Sequence, residues 1–190
     1  MAEKIIKRCD WLSNDPLYIQ YHDEEWGVPV YEDDKLFELL VLESFQAGLS
    51  WFTILKKREG FRNAFDQFNY KKISAYNEAK IEELLQNPDI VRHRKKIEAT
   101  IINAQLFMTI QKEFGSFSAY LWKYVNHKPV LNQFKSIAEV PAKTELSDAI
   151  SKDLKKRGFK FLGSTTVYAY LQGIGVVNDH VAHCFKSISF

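Results

Sequence analysis

The chain has 190 residues, with 26 basic and 24 acidic side chains, a net charge of +2, two cysteines and four tryptophans. That length can bury a sizeable core without covalent staples, two cysteines exclude a disulfide framework, and no apolar run approaches the ~20 residues of a membrane span. Eight glycines and five prolines are few for such a chain and favour long helices over a turn-dense β sandwich.

Asp15-Pro16 reads as an N-cap followed by proline at the first helical position. In the following LYIQYHDEEW, Tyr18, Tyr21, His22 and Glu25 share one helical face, and Gly27 and Pro29 end the helix. Asp33 or Asp34 then caps KLFELLVLESFQAG, where Leu36, Leu39 and Leu40 recur with helical period and Gly48 is the stop. LSWFTILKKREGFRNAF carries a further helical segment to Phe65. Residues 78–86 and 94–112 give two more helices, the second with a stripe of Ile97, Ile101, Ala104 and Met108. Phe117, Tyr120, Leu121 and Tyr124 mark another. Residues 126–143 have no clear period and read as a loop or extended segment.

Leu146, Ala149, Ile150 and Leu154 line a helix that Gly158 terminates. The next helix starts near Ser164 and runs to Gly173, and a last one covers 177–186. There is no internal repeat and no sustained alternation. The expected fold is all-α, one domain over residues 1–190. Its helical core covers about 33–125 and 144–175, beside a terminal part formed by 1–30 and 176–190. Residues 1–20 carry no signal-peptide hydrophobic stretch, and so few cysteines fit a reducing, cytoplasmic setting.

Each cysteine has a histidine at a telling spacing: Cys9 and His22 near the start, His180 and Cys184 near the end. His180 and Cys184 are i, i+4 and share a face on a helix. A Cys2His2 set suits zinc and would close a structural site with no position left for water. The other reading, two ordinary buried thiols and two surface histidines, stands beside it, because spacing alone does not bring the chain ends together. His183 is adjacent to Cys184 and would point elsewhere on a helix.

Glu43 falls in the middle of an apolar stripe, i+3 from Leu40 and i+4 from Leu39, whereas Glu32 and Glu38 fall where solvent is expected. A buried, unpaired carboxyl titrates high and is rare without a reason. Either the helix turns Glu43 outward or toward an internal lysine, or the carboxyl sits in a pocket and reads the N–H groups of a ligand. Trp11, Tyr18, Tyr21, Trp26 and Trp51 lie around it in sequence. Most aromatics are core, yet an aromatic box with one carboxylate suits a planar cationic heterocycle.

Positive charge is bunched at Lys56-Lys57-Arg58, at Arg92-His93-Arg94-Lys95-Lys96, and from Lys152 through Lys155-Lys156-Arg157 to Lys160. Such runs are either solvated faces or one phosphate-binding face. The third run leads into a tight turn between Gly158 and Gly163 and a helix opening at Ser164. Exposed backbone N–H groups there, beside Lys160, would make a sequence-independent site for DNA phosphates.

Several long blocks, in order, resemble the bacterial 3-methyladenine DNA glycosylase I family, a helix-hairpin-helix relative. They are DPLYIQYHDEEWGVP, LESFQAGLSW with FTILKKRE, IVRHRKKI, SKDLKKRGFKFLGSTT and GVVNDHVAHC, in a match running from Cys9 to Cys184. The resemblance implies a helix-hairpin-helix glycosylase-like, all-α fold that excises 3-methyladenine from double-stranded alkylated DNA. It also implies one structural zinc per chain on Cys9, His22, His180 and Cys184. Glu43 would read the edge of the flipped base, Tyr21 and Trp51 would stack on it or line its pocket, and Trp11, Tyr18 and Trp26 would complete the walls. The hairpin with Gly158, Lys160, Gly163 and Ser164 would grip the backbone, and the Gln46–Leu49 loop would supply a wedge.

A base methylated at N3 carries a positive charge while still bound to the sugar and needs no added proton to depart, so the expected enzyme is monofunctional, with no lysine nucleophile and no catalytic metal. Asp179, the acid at the range where related enzymes place a catalytic aspartate, directly precedes His180, a place that suits support of that ligand, and the resembled family works without the usual aspartate, so Asp179 is not counted as catalytic. A monomer with no membrane partner is expected.

Overall fold

The structure, a computed structural model, describes residues 6–187; the outer ends of the expected terminal part, 1–5 and 188–190, lie outside the described residues. The fold is mostly helical. Its helices are α1 (Pro16–Glu24), α2 (Asp33–Gln46), α3 (Trp51–Lys56), α4 (Arg58–Ala64), α5 (Tyr70–Ile73), α6 (Glu78–Gln86), α7 (Arg94–Phe114), α8 (Phe117–Trp122), α9 (Glu145–Arg157) and α10 (Ser164–Gly173). Two short strands, β1 (Val130–Leu131) and β2 (Val177–Asn178), pair in parallel with Val130 opposite Val177. No helix among the described residues is long and apolar enough to cross a membrane.

Helix α2 is the axle. Leu36, Phe37, Leu39, Leu40, Val41, Leu42 and Phe45 are all buried, so it is apolar nearly all round, as a helix enclosed by others must be. Ile97, Ile101, Ala104 and Phe107 of α7 and Val167, Tyr170 and Leu171 of α10 join the same core. A smaller apolar cluster forms where the chain ends meet, from Cys9, Tyr21, Trp26, Leu55, Val181 and Cys184, with Trp11, Tyr18 and Trp51 packed against it. The space between the two clusters holds the candidate site.

The helix starts follow local chemistry. The Asp15 carboxylate accepts from the Leu17 N–H at 2.9 Å with Pro16 behind it, and Gly158 closes α9 at φ +105°, a left-handed position that favours glycine. Helix α2 departs from expectation, because Glu32 precedes it without a side-chain cap. The Asp33 carboxylate instead accepts from the N–H groups of Phe117 and Ser118 at 2.9 and 2.8 Å and so caps α8. The segment after Gly48 breaks at Lys57 into α3 and α4.

The helix expected over 177–186 is absent. Val177 and Asn178 form β2, residues 179–181 are irregular and 182–187 make turns and a bend. Val176 and Val177 are β-branched and favour extended backbone, and the Asn178 side chain accepts from the His180 N–H at 3.1 Å, a local turn that competes with helix.

Gly175 starts that change of direction at φ +68°, where a Cβ would stand 2.3–2.5 Å from the backbone of Val28 and Pro29. Gly175→Ala is therefore expected to lower stability by about 3 kcal/mol or more, read as a fall in the thermal or urea midpoint.

Candidate active site and metal centre

A cavity of about 340 Å³ opens between α1, α2, α3, α10 and the segment 137–142, within the ~300–1,000 Å³ range of small-molecule pockets. It gathers all five expected aromatics, Trp11, Tyr18, Tyr21, Trp26 and Trp51, around Glu43, with Gln46 at its edge. The rings support one another. Trp11 packs on Tyr18 (5.0 Å between centroids) and Trp26 (5.1 Å), Tyr18 stacks on Phe52 at 4.9 Å, and Tyr21 meets Trp51 at 5.3 Å.

Glu43 is 4% exposed, and burial pushes its pKa up to about 8. Its Oε2 and the Trp51 Nε1 are buried side-chain atoms without a hydrogen-bond partner. Buried polar groups are almost always paired, so one unpaired acceptor and one unpaired donor in the same cavity mark where a ligand's polar edge belongs. Gly173 of α10 packs beside these groups, where a Cβ would make ordinary contact with the Tyr21 hydroxyl at 3.4 Å and Glu43 Oε1 at 3.7 Å.

One acid sits differently from what periodicity implies. Glu38, expected in solvent, is only 12% exposed and pairs with Arg58 at 2.6 Å and Arg62 at 2.7 Å. The basic runs are likewise partly spent inside the protein. Arg58 is buried between Glu25 and Glu38, Arg94 is held by Glu78 and Glu82, Arg157 by Glu113 and Asp153, and Lys96 is buried. Exposed cations remain at Lys56, Arg92, Lys95, Lys152, Lys155, Lys156 and Lys160.

Residues Gly158, Lys160, Gly163 and Ser164 lie at the turn between α9 and α10 and do not line the cavity. Of the N–H groups at the turn, that of Lys160 is taken by Asn103 Oδ1 at 2.9 Å, while the Lys160 side chain is exposed. Gly163 caps α10 without a side-chain bond, so the first-turn N–H groups of that helix have no side-chain cap. Leu49 is 40% exposed and stands outside the cavity.

Cys9, His22, His180 and Cys184 converge, all buried, with their four donor atoms within 4.8 Å of one another. Cys9 Sγ lies 3.4 Å from His180 Nδ1, and Cys184 Sγ lies 3.4 Å from both His22 Nε2 and His180 Nδ1. Metal–ligand bonds of about 2.0–2.3 Å in a tetrahedron give edges of about 3.3–3.8 Å, so the group can hold a metal ion. The second nitrogens are engaged: His22 Nδ1 meets Asp23 at 2.8 Å and His180 Nε2 meets the Trp26 carbonyl at 3.0 Å, which aims the remaining nitrogens inward.

The two thiols perturb each other in opposite directions: Cys9 holds Cys184 well below the ordinary thiol range, with His180 and His22 helping against burial, while Cys184 and burial push Cys9 up. His183 points away, to Asp10 and the Arg8 carbonyl.

Asp179 does not orient His180. Its carboxylate is buried and accepts from Asn132 at 2.7 Å, Gln172 at 2.8 Å and the Tyr168 hydroxyl. Tyr168 and Gln172, with Thr165 and Ala169, form the α10 wall of the cavity, which the sequence reading missed although their i, i+3, i+4, i+7 spacing marks one face. The wall from Ile137 to Ala142 carried no periodic signal at all.

The family model for methyladenine glycosylase matches residues 11–187. DNA-3-methyladenine glycosylase 1 of Escherichia coli (strain K12) is 50% identical over 179 residues, covering 94% of this chain and 96% of that protein. DNA-3-methyladenine glycosylase of Haemophilus influenzae is 49% identical over 177 residues, 93% and 96% of the two. A solved structure concerned with 3-methyladenine recognition by 3-methyladenine DNA glycosylase I from Staphylococcus aureus superposes with a TM-score of 0.93 at 42% identity, covering 96% and 97% of the two chains. With identity and coverage this high, the chain belongs to the methyladenine glycosylase family.

Proposed function

We propose that the chain is a monofunctional DNA repair glycosylase, one domain acting as a cytoplasmic monomer, that removes 3-methyladenine from alkylated duplex DNA. The observation that carries this reading is the buried carboxyl of Glu43, its Oε2 unpaired, in an aromatic-walled cavity also lined by Trp51, whose Nε1 is likewise unpaired. An intrahelical base cannot reach such a cavity, so the nucleotide is flipped out of the stack, at an energetic cost that damage lowers. The hairpin Gly158–Gly163, the exposed Lys160 and the α10 N-terminus by Ser164 face the DNA backbone, and the Gln46–Leu49 turn enters the gap the base leaves.

The chemistry is supplied largely by the substrate. Methylation at N3 makes the base a cation. The C1′–N9 bond breaks with its electron pair moving to the base, which departs neutral. Water adds to the oxocarbenium-like C1′ and loses a proton to solvent.

The protein contributes selective holding. Tyr21 and Trp51 contact the ring, Trp11, Tyr18 and Trp26 close the walls, and Glu43 accepts from the N–H edge while favouring positive charge in the bound base. The soft and borderline donors of the Cys2His2 group select zinc, which, with four protein ligands, would fasten the chain ends and carry no water.

The test is release of free base from methylated duplex DNA. Liberation of 3-methyladenine, with far less 7-methylguanine or hypoxanthine from matching duplexes, is the expected result. Binding of such DNA without base release would leave a DNA-binding module and sink the enzyme reading.

A further inference from the structure

Helix α7 bonds two turns, one after α2 and one between α9 and α10. Near its start Lys96, 6% exposed, donates from Nζ to the carbonyls of Phe45 at 2.8 Å and Ala47 at 2.7 Å. Those carbonyls end α2, whose C-cap residue Ala47 makes no closing backbone bond; Gln46 between them is served by the Leu49 N–H at 2.7 Å. Terminal helix carbonyls need donors, and the negative end of the helix dipole favours a cation there. Burial lowers the Lys96 pKa, an expense that a lysine aimed at phosphate in solvent would not meet.

Two turns further on, Asn103 is fully buried and holds one residue by both backbone groups: Nδ2 donates to the Lys160 carbonyl at 3.0 Å and Oδ1 accepts from the Lys160 N–H at 2.9 Å. Lys160 sits in the α9–α10 turn, where the next residue, Phe161, is exposed and held at φ +56°.

We infer that Lys96 and Asn103 are positioning residues for duplex DNA, bracing the Gln46–Ser50 turn and the Gly158–Gly163 turn at a fixed separation along one face of α7. Seven residues are two helical turns, so the braces share a face about 10.5 Å apart along the axis. One braced turn carries Gln46 at the cavity edge, and the other opens into α10, whose Thr165 lines the same cavity. A flipped nucleotide needs both at once, its base beside the first and its backbone at the second. The inference rests on the glycosylase reading above for the identity of the ligand.

The experiment measures affinity for a short duplex holding a stable abasic-site analogue, affinity for free 3-methyladenine by tryptophan fluorescence, and base release. Wild type, Lys96→Met, Lys96→Arg, Asn103→Ala and the Lys96→Met/Asn103→Ala double variant are compared. Each single loss is expected to weaken duplex binding by about tenfold with free-base affinity within about twofold of wild type. The double variant should show the product, about a hundredfold, because the two braces hold separate turns, and Lys96→Arg should recover most of its loss.

Unchanged duplex affinity, or free-base affinity falling in step with it, overturns the brace. The second outcome would mean that the residues act on the fold or the pocket as a whole. Duplex affinity does not depend on chemistry, so a wild type that binds but frees no base fails the glycosylase reading while the brace is still judged.

Discussion

Glu43→Gln is expected to slow release of 3-methyladenine from DNA by about a hundredfold or more, the scale set by removing one preorganised electrostatic partner of a charged transition state. The amide keeps the shape of the side chain and loses its charge. Single-turnover release at saturating DNA is the measurement, because it separates chemistry from duplex binding, which the proposed reading assigns to the exposed cations and the two turns. A Glu43→Gln variant that releases base at the wild-type rate would remove the glutamate from the mechanism.

The pH behaviour of this residue has two signs to keep apart. In the free protein burial raises the carboxyl to about 8, so at pH 7 it is mostly protonated. A cationic base beside it favours the carboxylate, and its entry expels that proton. Binding of the cation should therefore strengthen as pH rises toward about 8 and level off above, a slope that Glu43→Gln abolishes.

Folding stability runs the other way. The folded pKa lies above the ordinary 4.5, so the stabilisation from the neutral acid is complete below about 4.5 and is lost as pH rises through about 8. Between pH 5.5 and 8.5 wild type should lose on the order of 3 kcal/mol through this group, and Glu43→Gln should not. Urea titrations of both proteins across that window would show it, and parallel curves would count against a buried Glu43. Keeping such a carboxyl costs stability, as the proposed ligand-reading role would require.

Glu43 stood out in the sequence because helical period is local: a carboxyl at i+3 and i+4 from leucines falls on the face they bury, although the pattern alone left an outward turn or an internal lysine open. The Cys2His2 group was legible by residue type, although the helix invoked for His180 and Cys184 does not exist. A turn brings the same donors together, and spacing did not distinguish the two. The basic runs were not legible as surface, because what buries Arg58 is Glu25 and Glu38, 33 and 20 residues away, and what buries Lys96 is the end of a helix about 50 residues earlier. Pairings across such distances leave no local trace. The same limit hid Asp33 as the cap of α8 and the 137–142 wall of the cavity.

Zinc should be found at about one per chain by elemental analysis, and Cys9→Ser or Cys184→Ser should lose it together with at least about 3 kcal/mol of stability, since a metal that binds only the folded state contributes its binding free energy to folding. The argument for a large effect is mechanical as well as chemical. His22 follows cavity residue Tyr21 in α1, His180 bonds the Trp26 carbonyl, and Trp11 stands two residues after Cys9, 5.4 Å from the His22 ring. Three of the five aromatic walls are thus hung on the four candidate ligands or their immediate neighbours, whereas Glu43 and Trp51 are carried by α2 and α3, which hold none of the four.

Removing the metal should therefore weaken 3-methyladenine binding through Trp11, Tyr21 and Trp26 while the α2–α7–α10 core stays folded. Stripping zinc with a chelator and following tryptophan fluorescence on titration with the free base tests this directly, with re-addition of zinc expected to restore affinity. A metal-free protein of full stability and full base affinity would leave the four residues as a buried polar cluster with no fastening role.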